Sequence, residues 1–173
     1  MECKIRKWRL EDAKDLANAL SNPHVLDNLR DGLPYPYEEK HAKEYIEAML
    51  AADQNATFAF AVSVEDKAIG SIGVFRQGNI HSRTGELGYY IAEEYWGKGY
   101  GTSAVKQICD YIFMNTDIIR IFAEPFEYNK GSRRVLEKAG FCYEGTLRSN
   151  AIKNKTVLDM TMYSLIRTDL SRK

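Results

Sequence analysis

The chain has 173 residues, 45% hydrophobic and 28% charged, the makeup of a single globular domain over residues 1–173. Lys+Arg and Asp+Glu both number 24, so no general attraction to nucleic acid or to an anionic membrane is expected. The start Met1-Glu2-Cys3-Lys4 lacks the apolar segment of a secretion signal, and Cys3, Cys109 and Cys142 are scattered, as are His24, His41 and His81, so a cytoplasmic protein with reduced thiols and no metal is expected.

Residues 4–8 read as a short strand, and residues 11–20 as a helix with Ala13, Leu16, Ala17 and Leu20 on one face. Pro34 and Pro36 flank Tyr35 and force a loop. A second helix carries Ala42, Tyr45, Ile46, Met49 and Leu50 on one side. Phe58, Phe60, Val62 and Val64 then alternate with smaller residues, the period of a strand. Glu65-Asp66-Lys67 reads as a hairpin turn into a strand over 69–75, and a further strand runs over 86–91. Short connections make these strands an antiparallel meander. Beyond them lie a helix with Ala104, Val105, Ile108 and Ile112 inward, a β-branched strand over 118–123 and a helix over 129–139 stopped by Gly140. Strands over 141–147 and 157–166 close the chain around Asn154-Lys155. The expected fold is α/β (α+β), with a mixed, mostly antiparallel sheet of about seven strands, one parallel crossover and about four flanking helices.

The segment Tyr95-Trp96-Gly97-Lys98-Gly99-Tyr100-Gly101-Thr102-Ser103-Ala104 carries the strongest chemical signal. Its alternating glycines let backbone N–H groups close around an oxyanion, and the helix it opens adds roughly half a positive charge at the same point. A pyrophosphate-bearing ligand is the natural guest, and Gly101→Val is expected to block it while leaving the fold intact. Gly99-x-Gly101-x-x-Ala104 also fits a dinucleotide fingerprint, with Glu124 placed for a ribose. The antiparallel strands before the loop, and its distance from Ile91, speak against that alternative.

Asn129-Lys130-Gly131-Ser132-Arg133-Arg134-Val135-Leu136-Glu137-Lys138-Ala139-Gly140-Phe141, followed by Glu144-Gly145, supplies a second motif. With the glycine loop and the order of elements, it resembles the GNAT superfamily of N-acetyltransferases over most of the chain, and within it the ribosomal-protein-alanine acetyltransferase branch. The resemblance implies acetyl-CoA as cosubstrate, lying where the strand before the loop parts from its parallel neighbour. It implies that Ile91 and Ala92 meet the pantetheine arm, that Gly97, Lys98, Gly99, Tyr100, Gly101 and Thr102 cradle the pyrophosphate, that Asn129 bonds the pantetheine, and that Ser132 lies near the sulfur. Trp96 departs from the Gln or Arg usual at that place, which removes a side-chain phosphate contact but not the backbone cradle.

Acyl transfer to an amine needs a neutral nucleophile, a polarised carbonyl and a proton for the leaving thiolate. Glu86 resembles the strand glutamate that serves some relatives as general base, with Glu124 its rival, and Ser132, Tyr128 or Tyr163 could return the proton. Lys130, Arg134 and Lys138 share one helix face, open to a ligand phosphate or simply to solvent. Tyr35, Tyr37 and Phe126 suggest an apolar acceptor wall with few fixed charges. The expected function is N-acetylation of a protein N-terminus or a small amine by a monomer or homodimer, with no nucleic-acid or membrane partner. The alternative is a non-catalytic acyl-CoA-binding domain.

Overall fold

Residues 2–170 are described in a computed structural model. The meander becomes β1 (Lys4–Arg6), β2 (Thr57–Val64), β3 (Lys67–Arg76) and β4 (Thr84–Ile91), followed by β5 (Arg120–Ala123), β6 (Cys142–Lys153) and β7 (Thr156–Ile166). They form one seven-stranded sheet in the order β1-β2-β3-β4-β5-β7-β6. The β4–β5 pair is parallel and every other pair is antiparallel. Glu65 (φ 49°) and Asp66 (φ 68°) both take the left-handed conformation that closes a two-residue hairpin, as do Asn154 (φ 51°) and Lys155 (φ 63°).

The helices are α1 (Ala13–Leu20), α2 (Pro23–Leu26), α3 (Glu39–Ala51), α4 (Tyr100–Asn115), α5 (Lys130–Lys138) and α6 (Arg167–Leu170). On one face of the sheet, Val105, Ile108 and Ile112 of α4 and Leu136 of α5 bury against Ile72, Val74, Leu87 and Ile121. On the other face, Leu16 and Leu20 of α1 and Ala42 and Ile46 of α3 pack with Trp8, Val25 and Ala61. Leu50, expected inward, is exposed.

Two differences from the sequence expectation have local causes. The chain makes the short helix α2 because Pro23 stands at its first position and the Asn22 side chain accepts the His24 N–H at 2.9 Å. Strand β6 runs well past residue 147, since the Ser149 N–H donates to Asp159 Oδ1 at 2.7 Å where the register shifts. Polar residues 148–150 read as loop in sequence because this outer part of the hairpin buries little.

The start of α1 is tied to β1 by an ion pair. Arg6 donates to both oxygens of Asp12, at 2.8 and 2.7 Å, and the Arg9 N–H adds a bond of 2.9 Å. Burial pushes the Asp12 carboxyl up, but these donors outweigh it and hold the group below its usual range. Asp12→Ala leaves Arg6 with the Lys7 and Asp66 carbonyls and the more distant Asp66 carboxylate, and is expected to cost about 1–3 kcal/mol. A lowered pKa contributes stability above the unfolded value, about 4, and loses it as pH falls through the folded value. The melting-temperature gap between wild type and Asp12→Ala should therefore close below about pH 4, in melts followed by circular dichroism.

Candidate active site

The parting of β4 from β5 creates the site. The two strands pair only at Thr84↔Arg120, Gly85↔Ile121 and Glu86↔Phe122, yet β4 continues beside β3 to Gly70↔Ile91. Beyond Ala123 the chain follows β7 instead: Pro125 O accepts the Thr161 N–H at 2.9 Å, and the Glu127 N–H donates to Asp159 O at 3.0 Å. The upper half of β4 is left with an open edge.

Bonds at both ends of β4 fix which groups face that edge. Thr84 O accepts from Gln77 N–H at 2.9 Å and the Ala92 N–H donates to Ile69 O at 2.8 Å, so even-numbered residues bond to β3. The backbone groups of Tyr89 and Ile91 consequently aim into the gap. The Ala92 N–H is turned toward β3 rather than the gap, and its carbonyl accepts the Tyr95 N–H at 2.9 Å. Ile91 O accepts the Trp96 indole N–H at 2.7 Å, which folds the loop back onto the strand end. Trp96, unexplained by the phosphate pattern, is a staple for that loop.

Gly97 (φ 73°) and Gly99 (φ 84°) take left-handed conformations, and a Cβ on either would meet nothing within 4 Å. The loop therefore presents open backbone where a bulky group can approach. Gly99 is the N-cap of α4, and the first helical bond runs from Ser103 N–H to Gly99 O at 3.0 Å. The Gly101 and Thr102 amides precede that bond, so the ladder does not use them. Tyr100 itself is buried. The Lys98 ammonium is engaged within the loop, donating to Glu94 O at 2.9 Å and lying over the Tyr95 ring. Gly101 faces inward: a Cβ there would lie 3.4 Å from Val135 Cγ2 and 3.9 Å from Ile91 Cγ1. Gly101→Val would press on the α4–α5 contact rather than fill an anion site, which corrects the expectation from sequence.

Across the gap, Asn129 caps α5 by accepting the Ser132 N–H at 3.0 Å. Ser132 Oγ lies 2.8 Å from the Tyr89 hydroxyl. Burial raises the Tyr89 phenol far above its ordinary value, against a smaller lowering by Ser132, so it stays protonated and able to donate. Tyr89 was not singled out in the sequence, where it looks like one more strand aromatic. Lys130, Arg134 and Lys138 are exposed.

On the opposite face of β4, Glu86 opens a cavity of about 430 Å³ lined also by Glu124, Phe122, Phe126, Met160 and Lys153. Glu86 and Glu124 converge there because β4 and β5 are in parallel register and residues two apart share a face. Arg30, on the loop after α2, reaches between them. Its Nη2 pairs with Glu86 Oε1 and lies 3.7 Å from Glu124 Oε2. Burial lifts the Glu124 carboxyl above its usual range, the Glu86 charge lifts it further, and Arg30 partly opposes both.

The wall is thus more charged than the aromatic residues suggested. Of the three, Phe126 lines the cavity; Tyr37 is buried at 5% exposure beneath α1 and α3, and Tyr35 is 68% exposed. Tyr163 is also removed from the cleft, buried while donating to Glu137 Oε1 at 2.8 Å and accepting from Arg133. Tyr128 stacks on Phe126 and donates to Asp27 O, pinning the Arg30 loop. Among the described residues no group of His, Cys, Asp and Glu is arranged to hold a metal, and no helix is long and apolar enough to cross a membrane.

The acetyltransferase (GNAT) domain family matches residues 3–142. An uncharacterized N-acetyltransferase of Bacillus licheniformis, p20, is 29% identical over 168 residues, covering 95% of this chain and 93% of that protein. The ribosomal-protein-S5-alanine acetyltransferase of Vibrio fischeri superposes with a TM-score of 0.85 at 25% identity, over 98% of this chain and 95% of its own. The fold is likewise that of Mycobacterium smegmatis RimJ, solved with a CoA-disulfide, with a TM-score of 0.87 at 20% identity over 96% and 82% of the two chains.

Proposed function

The chain belongs to the GNAT acetyltransferase family, and from that premise we propose that it acetylates a primary amine directly, in a ternary complex, with a protein N-terminus as the favoured acceptor. The observation that carries this reading is the gap between β4 and β5, with an open glycine loop on one side and paired carboxylates on the other. The relative that acts on an S5 alanine supports the choice of an α-amine. So does chemistry: an α-amine has a pKa of about 7.7–8.0, against about 10.4 for lysine, so roughly a tenth of it is neutral at pH 7. A small amine remains the second acceptor class.

Acetyl-CoA, when bound, supplies the thioester whose acetyl group is transferred. The open backbone at Gly97 and Gly99 and the Gly101 and Thr102 amides, which the helix ladder does not use, suit its pyrophosphate. Tyr89 and Ile91 offer gap-facing backbone to the pantetheine and to a developing oxyanion. Glu124 accepts the proton that the amine loses, because a carboxyl raised by burial is the stronger base. Glu86, paired with Arg30, shapes the charge around it. Tyr89, hydrogen-bonded to Ser132, would return a proton to the leaving thiolate.

Direct attack requires no acetyl-enzyme. Cys109 is buried and its thiol is pushed up strongly by burial, while Cys142 is exposed at the start of β6. Mass spectrometry of protein incubated with acetyl-CoA alone should show no added acetyl group. A stoichiometric adduct on either cysteine that then reacts with amine would replace direct attack by a two-step route.

A further inference from the structure

Among the described residues, Arg30 is the one cation that reaches both carboxylates of the cleft through a single nitrogen. Its Nη2 touches Glu86 Oε1 and stands 3.7 Å from Glu124 Oε2, while its side chain is still 62% exposed. The second positive group on the cavity wall, Lys153, is already committed to Asp31 at 2.9 Å. A positively charged nitrogen therefore fits between Glu86 and Glu124, and the protein fills that place with its own.

We infer that Arg30 Nη2 occupies the acceptor's ammonium subsite, so that Arg30 is a specificity-determining residue which the incoming amine must displace. The inference rests on the acetyltransferase reading and names the acceptor class further: a cationic amine with no carboxylate beside the reacting nitrogen. Such a carboxylate would face Glu86 and Glu124 once Arg30 had left. Peptide N-termini and simple alkylamines meet this condition, whereas free amino acids do not. Displacement is undemanding, because the loop is anchored independently by Tyr128 on Asp27 and Lys153 on Asp31. The guanidinium can swing into solvent while its backbone stays in place, and a half-exposed ion pair is worth little.

The test uses alaninamide as the probe of a peptide N-terminus, butylamine as the alkylamine and alanine as the carboxylate-bearing control. Binding is followed by calorimetry on the CoA-saturated protein, and KM from CoA release with acetyl-CoA. Removing a weak internal competitor should tighten alaninamide and butylamine about two- to fivefold in Arg30→Ala, with CoA affinity unchanged. Arg30→Gln should behave likewise, and alanine should gain least. In a Glu86→Gln background Arg30→Ala should make much less difference, since the competition is for that carboxylate. Unchanged or weaker alaninamide binding in both Arg30 variants, with CoA still bound, would overturn the inference and leave the acetyltransferase reading standing. Tighter alanine than alaninamide in wild type, lost in Arg30→Ala, would instead make Arg30 a carboxylate receptor and overturn it too. Failure of the wild type to bind CoA at all would defeat the underlying reading.

Discussion

Gly99→Val is expected to raise the dissociation constant for acetyl-CoA by about 10- to 100-fold while the protein stays folded. At φ 84° a β-branched side chain is strained, by about 1–3 kcal/mol, and the backbone relieves that strain by turning away. Because Gly99 is the N-cap of α4, the turn carries the Gly101 and Thr102 amides off their aim. Each 1.4 kcal/mol of lost contact is about a factor of ten. A Cβ at Gly99 would meet nothing within 4 Å, so lost binding does not start from a packing clash. Gly101→Val should show the reverse balance, with a larger fall in melting temperature through Val135 and Ile91. Calorimetric titration beside thermal melts separates them, and wild-type affinity in Gly99→Val would remove the loop from the binding site.

Glu124→Gln is expected to lower kcat by about 10²–10⁴, or about 3–5 kcal/mol of barrier, with acetyl-CoA affinity little changed. Glutamine keeps the reach but takes no proton. Glu124 works only when ionised, and its pKa lies above the usual carboxylate range, so wild-type rate should fall as pH drops through that raised value. The limb should vanish or move to the amine's own titration in the variant. Glu86→Gln is the comparison: it removes the charge that raises Glu124 and the partner of Arg30, so its effect should be smaller. If Glu86→Gln loses the rate and Glu124→Gln keeps it, the base is Glu86. If neither matters, solvent removes the proton and the protein contributes positioning alone.

The elements with strong periodicity were legible in the chain itself. Alternation over Phe58, Phe60, Val62 and Val64 marked β2, and the Asn129 cap with Leu136 inward marked α5. The glycine loop and Glu86 stood out as candidates through local chemistry. What remained hidden depends on distant residues meeting. Arg30 sits in a polar loop with no pattern, and it reaches Glu86 only because Tyr128 and Lys153 hold that loop over the sheet. The pairing of Tyr89 with Ser132 crosses from β4 to α5, and no spacing rule connects them. Gly101 misled for a related reason: a glycine in an anion loop looks like backbone room for a ligand, yet here the missing Cβ makes room for Val135.

Release of CoA from acetyl-CoA in the presence of unbiased N-terminal peptides and small amines, with the acylated product identified by mass spectrometry, tests the central claim most directly. The account predicts one CoA released per N-acetylated α-amine, faster for peptide N-termini than for lysine side chains at pH 7. Tight acetyl-CoA binding with no CoA released to any amine would contradict it and make the chain an acyl-CoA-binding module.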